Sequence, residues 1–189
     1  MLHIGWGYDI HRLEEGAVLV LGGVNFPAST KGFNTHSDGD VVAHAIIDAL
    51  QPIRKIVREA YAAAERVFRH FPDRLLCGAI AVGSLGDYFP EDDPEDQDAR
   101  SIDFLQRFLP TLQEHKAQVV NLDCTIFAAT VRISPAASEM KQNIARRLGI
   151  PAKTVSVKGK TKDYLGLEGR GEAISAVVVA LVDVGDDDV

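Results

Sequence analysis

Side chains at alternate positions of residues 2–11, Leu2-His3-Ile4-Gly5-Trp6-Gly7-Tyr8-Asp9-Ile10-His11, switch between apolar and polar or glycine. That period of two predicts a strand. Residues 17–26 predict a short hairpin, with Gly22-Gly23 permitting a bulge or turn, and residues 27–36 a polar loop. A helix follows, with Ser37 or Asp38 as its N-cap. Residues 101–115 predict another helix and residues 118–128 a strand. Ser134-Pro135 opens a third helix, with proline at the first helical position, and it ends near Gly149. Residues 155–158 form a short strand. The run 172–184 is apolar on both faces, which places it centrally in a sheet. The order of elements predicts an α+β fold, a mostly antiparallel sheet covered by helices on one face.

One segment has a different period. From Pro52 onward, Ile53, Ile56, Val57, Ala60, Tyr61, Ala64, Val67, Phe68 and Phe71 recur at helical spacing. Arg54, Lys55, Arg58, Arg66 and Arg69 share the opposite face with Glu59 and Glu65. The expectation is an amphipathic helix within residues 51–77, inserted in a single domain spanning 1–189 and packed on its own subunit.

Composition narrows the class. With 46% hydrophobic and 25% charged residues, the chain has the balance of a soluble globular protein. No segment approaches the ~20 apolar residues of a membrane span, so no membrane partner is expected. The net charge of −7 argues against a nucleic-acid surface. Much of the negative charge lies in residues 91–98 and in Asp186-Asp187-Asp188, expected to be solvated. Cys77 and Cys124 form no CxxC pair. No targeting segment is visible, and a cytoplasmic location is expected, or an organelle stroma.

The candidate chemistry begins at Asp9 and His11. On a strand they project from the same face. His44 lies two turns into a helix begun near Ser37, with Asp40 and Asp48 one turn to either side. Two imidazoles and a carboxylate suffice for a tetrahedral zinc whose fourth position stays open for substrate. Asp40 and Asp48 either orient His44 or form an exposed helix stripe.

Several further segments join these in order: Leu21-Gly22-Gly23-Val24, His36-Ser37-Asp38-Gly39-Asp40, Phe89-Pro90 with Asp93-Pro94, Asn121-Leu122-Asp123, Val157-Lys158 and Gly169-Arg170-Gly171-Glu172. In this order and spacing, the chain resembles the 2-C-methyl-D-erythritol 2,4-cyclodiphosphate synthase family nearly end to end. Residues 51–77 have no counterpart in compact members. The resemblance implies a homotrimer whose sheets line a central cavity and a cytidine diphosphate substrate. It implies zinc on Asp9, His11 and His44, and a second divalent ion, Mg2+ or Mn2+, on Asp163. It assigns His36, Ser37 and Thr161 to catalysis. It assigns Asp48, Ser84, Gly86, Phe89 and Glu91 to substrate binding, and likewise Arg132, Lys158, Thr161 and Arg170. Arg170 and Glu172 fall near the threefold axis.

The chain departs from the family pattern at three places. Ser84 stands where an aspartate binds the cytidine ribose, Asp163 replaces a glutamate, and Thr130-Val131-Arg132 replaces Ala-Pro-Lys of the cytosine loop. Two other classes therefore stand beside the synthase: a zinc-dependent phosphohydrolase, and a trimer that binds nucleotide or isoprenoid diphosphate without turnover.

Overall fold

The computed structural model describes residues 2–35, 37–50 and 99–185. The expected 51–77 helix lies outside the described residues. Strand β1 (Leu2–Arg12) is followed by β2 (Glu14–Glu15), β3 (Val20–Leu21), β4 (Val24–Asn25) and β5 (Lys31–Gly32). Helices α1 (Val41–Leu50) and α2 (Ser101–Glu114) come next, then β6 (Ala117–Phe127) and α3 (Ala137–Leu148). The chain continues through β7 (Val155–Lys160), a short helix α4 (Gly166–Gly169) and β8 (Ala173–Val184).

The main sheet has the order β1-β8-β6-β7. Strand β8 runs antiparallel to both its neighbours, while β6 and β7 are parallel. A parallel pair needs a crossover, and α3 supplies it. The fold is the expected α+β class. The C-terminal strand is flanked on both sides, as its two-faced apolar run predicts. Ile174, Ala176, Val178, Ala180 and Val182 bury one face of β8. Helix α2 adds Ile102, Leu105, Phe108 and Leu112 to this core, and α3 adds Met140, Ile144 and Leu148.

Four expectations change at the level of local structure. The polar loop 27–36 contains β5, which pairs antiparallel with β2; two-residue strands are too short to show a period. Helix α1 begins at Val41, not near Ser37, because the chain winds through Gly39 in a left-handed conformation first. Helix α3 begins at Ala137 rather than at Pro135, since Ser134–Ala136 form a turn with bonds from Ala136 N to Ile133 O and Ala137 N to Ser134 O. Strand β7 runs on to Lys160, because pairing with β6 continues through Phe127. The predicted hairpin forms as β3 and β4 about Gly22-Gly23.

The seating of α1 on the sheet positions the functional site. The odd residues of β1 face the helix layer. A Cβ at Gly7 would lie 2.0 Å from the carbonyl oxygen of Ala45, and one at Gly5 1.8 Å from that of Ala49. Glycine on the strand thus lets the helix backbone approach the strand backbone. The same contact brings His44 over the end of β1, where Asp9 and His11 stand. Gly7→Ala should destabilise the protein by roughly 3 kcal/mol, the upper end of the overpacking range, and weaken metal retention. Urea unfolding reads the first effect; an unchanged midpoint would show that this approach tolerates a methyl group.

Candidate metal centre

Asp9 and His11 leave the same face of β1, and His44 descends from α1 to meet them. One ligand atom from each lies within 4.8 Å of the others. His44 is buried, and Asp9 and His11 are half-buried. The Asp9 Oδ2 atom is 3.0 Å from His44 Nδ1 and 3.1 Å from His11 Nε2. The ring centroids of the two histidines are 5.2 Å apart.

The outer ring nitrogens are also satisfied. His11 Nδ1 donates to the carbonyl oxygen of Gly39 at 3.0 Å, which leaves Nε2 as the ring nitrogen that could hold a metal. Gly39 has φ +67, and a Cβ there would meet Phe33 Cβ and Thr35 Oγ1 at 2.7 Å. Only glycine can turn that carbonyl toward His11. His44 Nε2 lies 3.1 Å from Ser101 Oγ. Phe33 packs edge-on against His11, and Phe104 stacks on His44.

Burial works against ionisation of Asp9, but hydrogen bonds and charge from His11 and His44 outweigh it and hold the carboxyl well below the usual carboxylate range. Burial likewise disfavours a proton on His11, yet the Asp9 carboxylate raises its pKa above the ordinary histidine value. The Asp9 carboxylate thus faces one ring nitrogen of each histidine. A divalent cation could sit among the same three atoms, and the carbonyl and hydroxyl behind the rings are the partners that metal-binding histidines use. The donor set fits a metal ion.

Asp40 does not belong to this set. It is neither an exposed stripe nor a partner of the His44 ring: it is fully buried and caps α1. Its Oδ1 accepts from Val42 N at 3.1 Å and from Gly22 N at 2.9 Å, and Oδ2 accepts from Gly23 N at 2.7 Å. Burial pushes this carboxyl up to about 6, the Asp38 charge adds to the rise, and the Gly22 and Gly23 amides oppose it. Asp48, half-buried, lies one turn beyond His44 on α1.

The remaining assigned residues are dispersed. Ser37 joins the centre through Ser101, with 2.9 Å between their hydroxyl oxygens. His36, Ser84, Gly86, Phe89 and Glu91 lie outside the described residues. Lys158, on β7, pairs with Asp123. Thr161 and Asp163 are exposed, with Thr161 Oγ1 accepting from Asp163 N at 3.5 Å. Lys162, Asp163 and Tyr164 have φ of 62, 49 and 64, a left-handed run uncommon for non-glycine residues. Arg132 is exposed and borders an open cleft of about 450 Å3 with Phe26, Ser29 and Glu139. A larger cleft of about 520 Å3, beside Asp123, Lys141 and Lys153, contains none of the three ligands. Arg170 Nε donates to Glu172 Oε1 at 2.6 Å.

Sequence reasoning missed Ser101, and it placed Asp38 and Gly39 in a motif without a part in this centre. Asp38 Oδ1 accepts from Ser101 N at 2.9 Å. A serine opening a predicted helix was the available signal for Ser101. Its distance of 57 positions from His44 hid the partnership.

Comparison with known proteins extends this local picture to the whole chain. The family model described as the YgbB family matches residues 2–75 and 73–183. The 2-C-methyl-D-erythritol 2,4-cyclodiphosphate synthase of Syntrophomonas wolfei is 38% identical over 182 residues, 96% of this chain and 99% of that protein. The bifunctional IspD/IspF enzyme of Novosphingobium aromaticivorans is 40% identical over 94% of this chain, which spans 39% of that longer protein. Among solved structures, a CDP complex of IspF from Plasmodium falciparum superposes with a TM-score of 0.70 at 26% identity, covering 98% of this chain and 97% of that one. The synthase from Plasmodium vivax gives 0.68 at 28% identity, covering 98% of this chain and 100% of that one. With the family model matched from residue 2 to residue 183 and full-length relatives at this identity, the chain belongs to the YgbB family.

Proposed function

We propose that this protein converts 4-diphosphocytidyl-2-C-methyl-D-erythritol 2-phosphate to 2-C-methyl-D-erythritol 2,4-cyclodiphosphate with release of CMP, a step of non-mevalonate isoprenoid synthesis. The observation that carries this reading is the Asp9–His11–His44 cluster, in a chain that aligns end to end with synthases of that name.

In this reaction the 2-phosphate attacks the β-phosphorus of the diphosphate in the same molecule, and the bond to CMP breaks. Holding both groups in attacking geometry can supply up to roughly 7–11 kcal/mol of the barrier. The attacking phosphate is already anionic at neutral pH, so no side chain must remove its proton. Asp9, His11 and His44 would hold zinc, a Lewis acid that neutralises and orients phosphate oxygens. His36 and Ser37 cover the erythritol phosphate. Lys158 and Thr161 approach the diphosphate. Arg132 serves the cytosine end and Ser84 the ribose, and Asp48, Gly86, Phe89 and Glu91 also bind substrate. Asp163, exposed on its left-handed turn, would be the single protein ligand of a second ion; Mg2+ suits such a site because it keeps several waters and takes few protein ligands.

The assembly we propose is a homotrimer. Leu2, Ile4, Trp6 and Tyr8 are exposed on the face of β1 opposite the helices, Trp6 at 64%. Trp6 pairs with Val179 on β8, itself 41% exposed, and Tyr8 with Val177. Such an apolar face is covered in a closed cyclic assembly. The Arg170–Glu172 pair would lie near the threefold axis. Light scattering should report about three times the chain mass; a stable monomer at micromolar concentration would contradict the proposal. Among the described residues no helix is long and apolar enough to cross a membrane. The activity is tested by following CMP released from the substrate by metal-loaded protein, with chelator abolishing it. Nucleotide binding without release at any Mg2+ or Mn2+ concentration would refute turnover.

A further inference from the structure

Ser101 is completely buried at the start of α2, and its hydroxyl stands between two parts of the site. Its Oγ is 3.1 Å from His44 Nε2 and 2.9 Å from Ser37 Oγ. Its backbone N–H donates to Asp38 Oδ1, and Asp38 N donates in turn to Ala99 O at 3.1 Å. The start of α2 is thereby tied to the Ser37–Asp38 turn and to the metal-ligand helix.

Hydrogen-bond chemistry gives this chain of groups a direction. His44 Nδ1 faces Asp9 Oδ2 and must present a lone pair to a metal, so the proton of the neutral ring sits on Nε2. Nε2–H then donates to Ser101 Oγ. Ser101 is fully buried, and among the described residues its other side-chain partner is Ser37 Oγ, so giving its proton to Ser37 leaves no buried O–H unpaired; Ser37 Oγ also accepts from Gly39 N at 3.2 Å. A hydroxyl offers two acceptor sites and one proton. With both acceptor sites of Ser37 filled, its own proton is directed outward as a donor. A phosphate dianion, which only accepts, is the ligand such a donor suits.

We infer that Ser101 is a positioning residue: it fixes the His44 tautomer that offers Nδ1 to the metal and directs Ser37 as a donor to the substrate phosphate. The inference rests on the reading of Asp9, His11 and His44 as a zinc centre.

The test compares wild type with Ser101→Ala and Ser37→Ala in three measurements. These are zinc affinity of the metal-free protein by chelator competition, kcat and KM of the zinc-loaded protein, and imidazole 15N shifts of zinc-loaded wild type. Ser101→Ala should weaken zinc binding about 10–100-fold, the usual effect of removing a partner behind a ligand, and raise KM. Ser37→Ala should raise KM while zinc affinity stays close to that of wild type. The 15N spectrum should show His44 metallated at Nδ1 and protonated at Nε2, a readout that holds even if Ser101→Ala does not fold. Wild-type zinc affinity in Ser101→Ala, or a His44 protonated at Nδ1, would overturn the inference. Wild-type protein that binds no zinc would instead overturn the metal centre beneath it.

Discussion

His44→Ala should remove zinc from the protein and lower CMP release at least about a thousandfold. A bound Lewis acid contributes several kcal/mol of charge stabilisation to phosphoryl transfer, and each ~1.4 kcal/mol is a factor of ten in rate. His44 is the ligand most dependent on tertiary structure. It reaches the strand pair Asp9 and His11 only because α1 lies against Gly5 and Gly7. Its loss leaves two ligands, too few for a tetrahedral site with one open position. Metal analysis of wild type purified without chelator should find about one zinc per chain, and of the variant close to none. Full retention of zinc by His44→Ala would sink the ligand assignment. The fold itself should survive, since the substituted side chain lies at the rim of the core while Val41, Val42, Ile46 and Ile47 remain buried.

Asp40→Ala should have the opposite profile, costing stability first and activity through it. The carboxylate caps α1 and accepts the N–H groups of Gly22 and Gly23 on the hairpin. Loss of a cap costs about 1 kcal/mol. Each buried donor left without a partner costs about 1–3 kcal/mol more. A total of about 3 kcal/mol or more is a large share of a typical domain stability of roughly 5–15 kcal/mol. Asp40→Asn should cost less. Burial already pushes the Asp40 carboxyl up to about 6, so the folded site disfavours the charge that asparagine removes; the amide oxygen can keep Val42 N and Gly22 N, while the amide NH2 cannot accept from Gly23 N. Denaturant unfolding of the metal-free proteins separates this effect from metal binding. Equal stability of Asp40→Ala and wild type would show that the hairpin finds other acceptors.

The Asp9–His11–His44 cluster was legible because it follows local geometry. Asp9 and His11 obey the two-residue repeat of a strand, and His44 falls on a helix with a clear apolar pattern. The central position of β8 was legible from its apolar faces, and α2, β6 and the Gly149 end of α3 from period and cap. Asp40 was misread because helical spacing placed it one turn before His44 as if the helix had already begun. The left-handed turn at Gly39 moves the start to Val41 and makes Asp40 the cap. Ser101 was invisible for a different reason: its partners His44 and Ser37 are distant in sequence, and tertiary packing alone brings them together. The Lys162–Tyr164 turn carries no glycine to announce its positive φ values, so its shape could not be read from composition. The order of motifs located the family, whose match spans the chain; the physical pattern of residues explains why the cluster forms.

The most direct test of the proposed reaction is 31P NMR of the products formed by zinc-loaded protein from 4-diphosphocytidyl-2-C-methyl-D-erythritol 2-phosphate with Mg2+ present. Ring closure predicts CMP and a cyclic diphosphate in equal amounts, with no inorganic phosphate, because the attacking oxygen comes from the substrate itself. Inorganic phosphate or an open-chain product would mean that water attacks and that the protein is a hydrolase. An unchanged substrate spectrum would mean that it binds without turnover; either result would contradict the assignment.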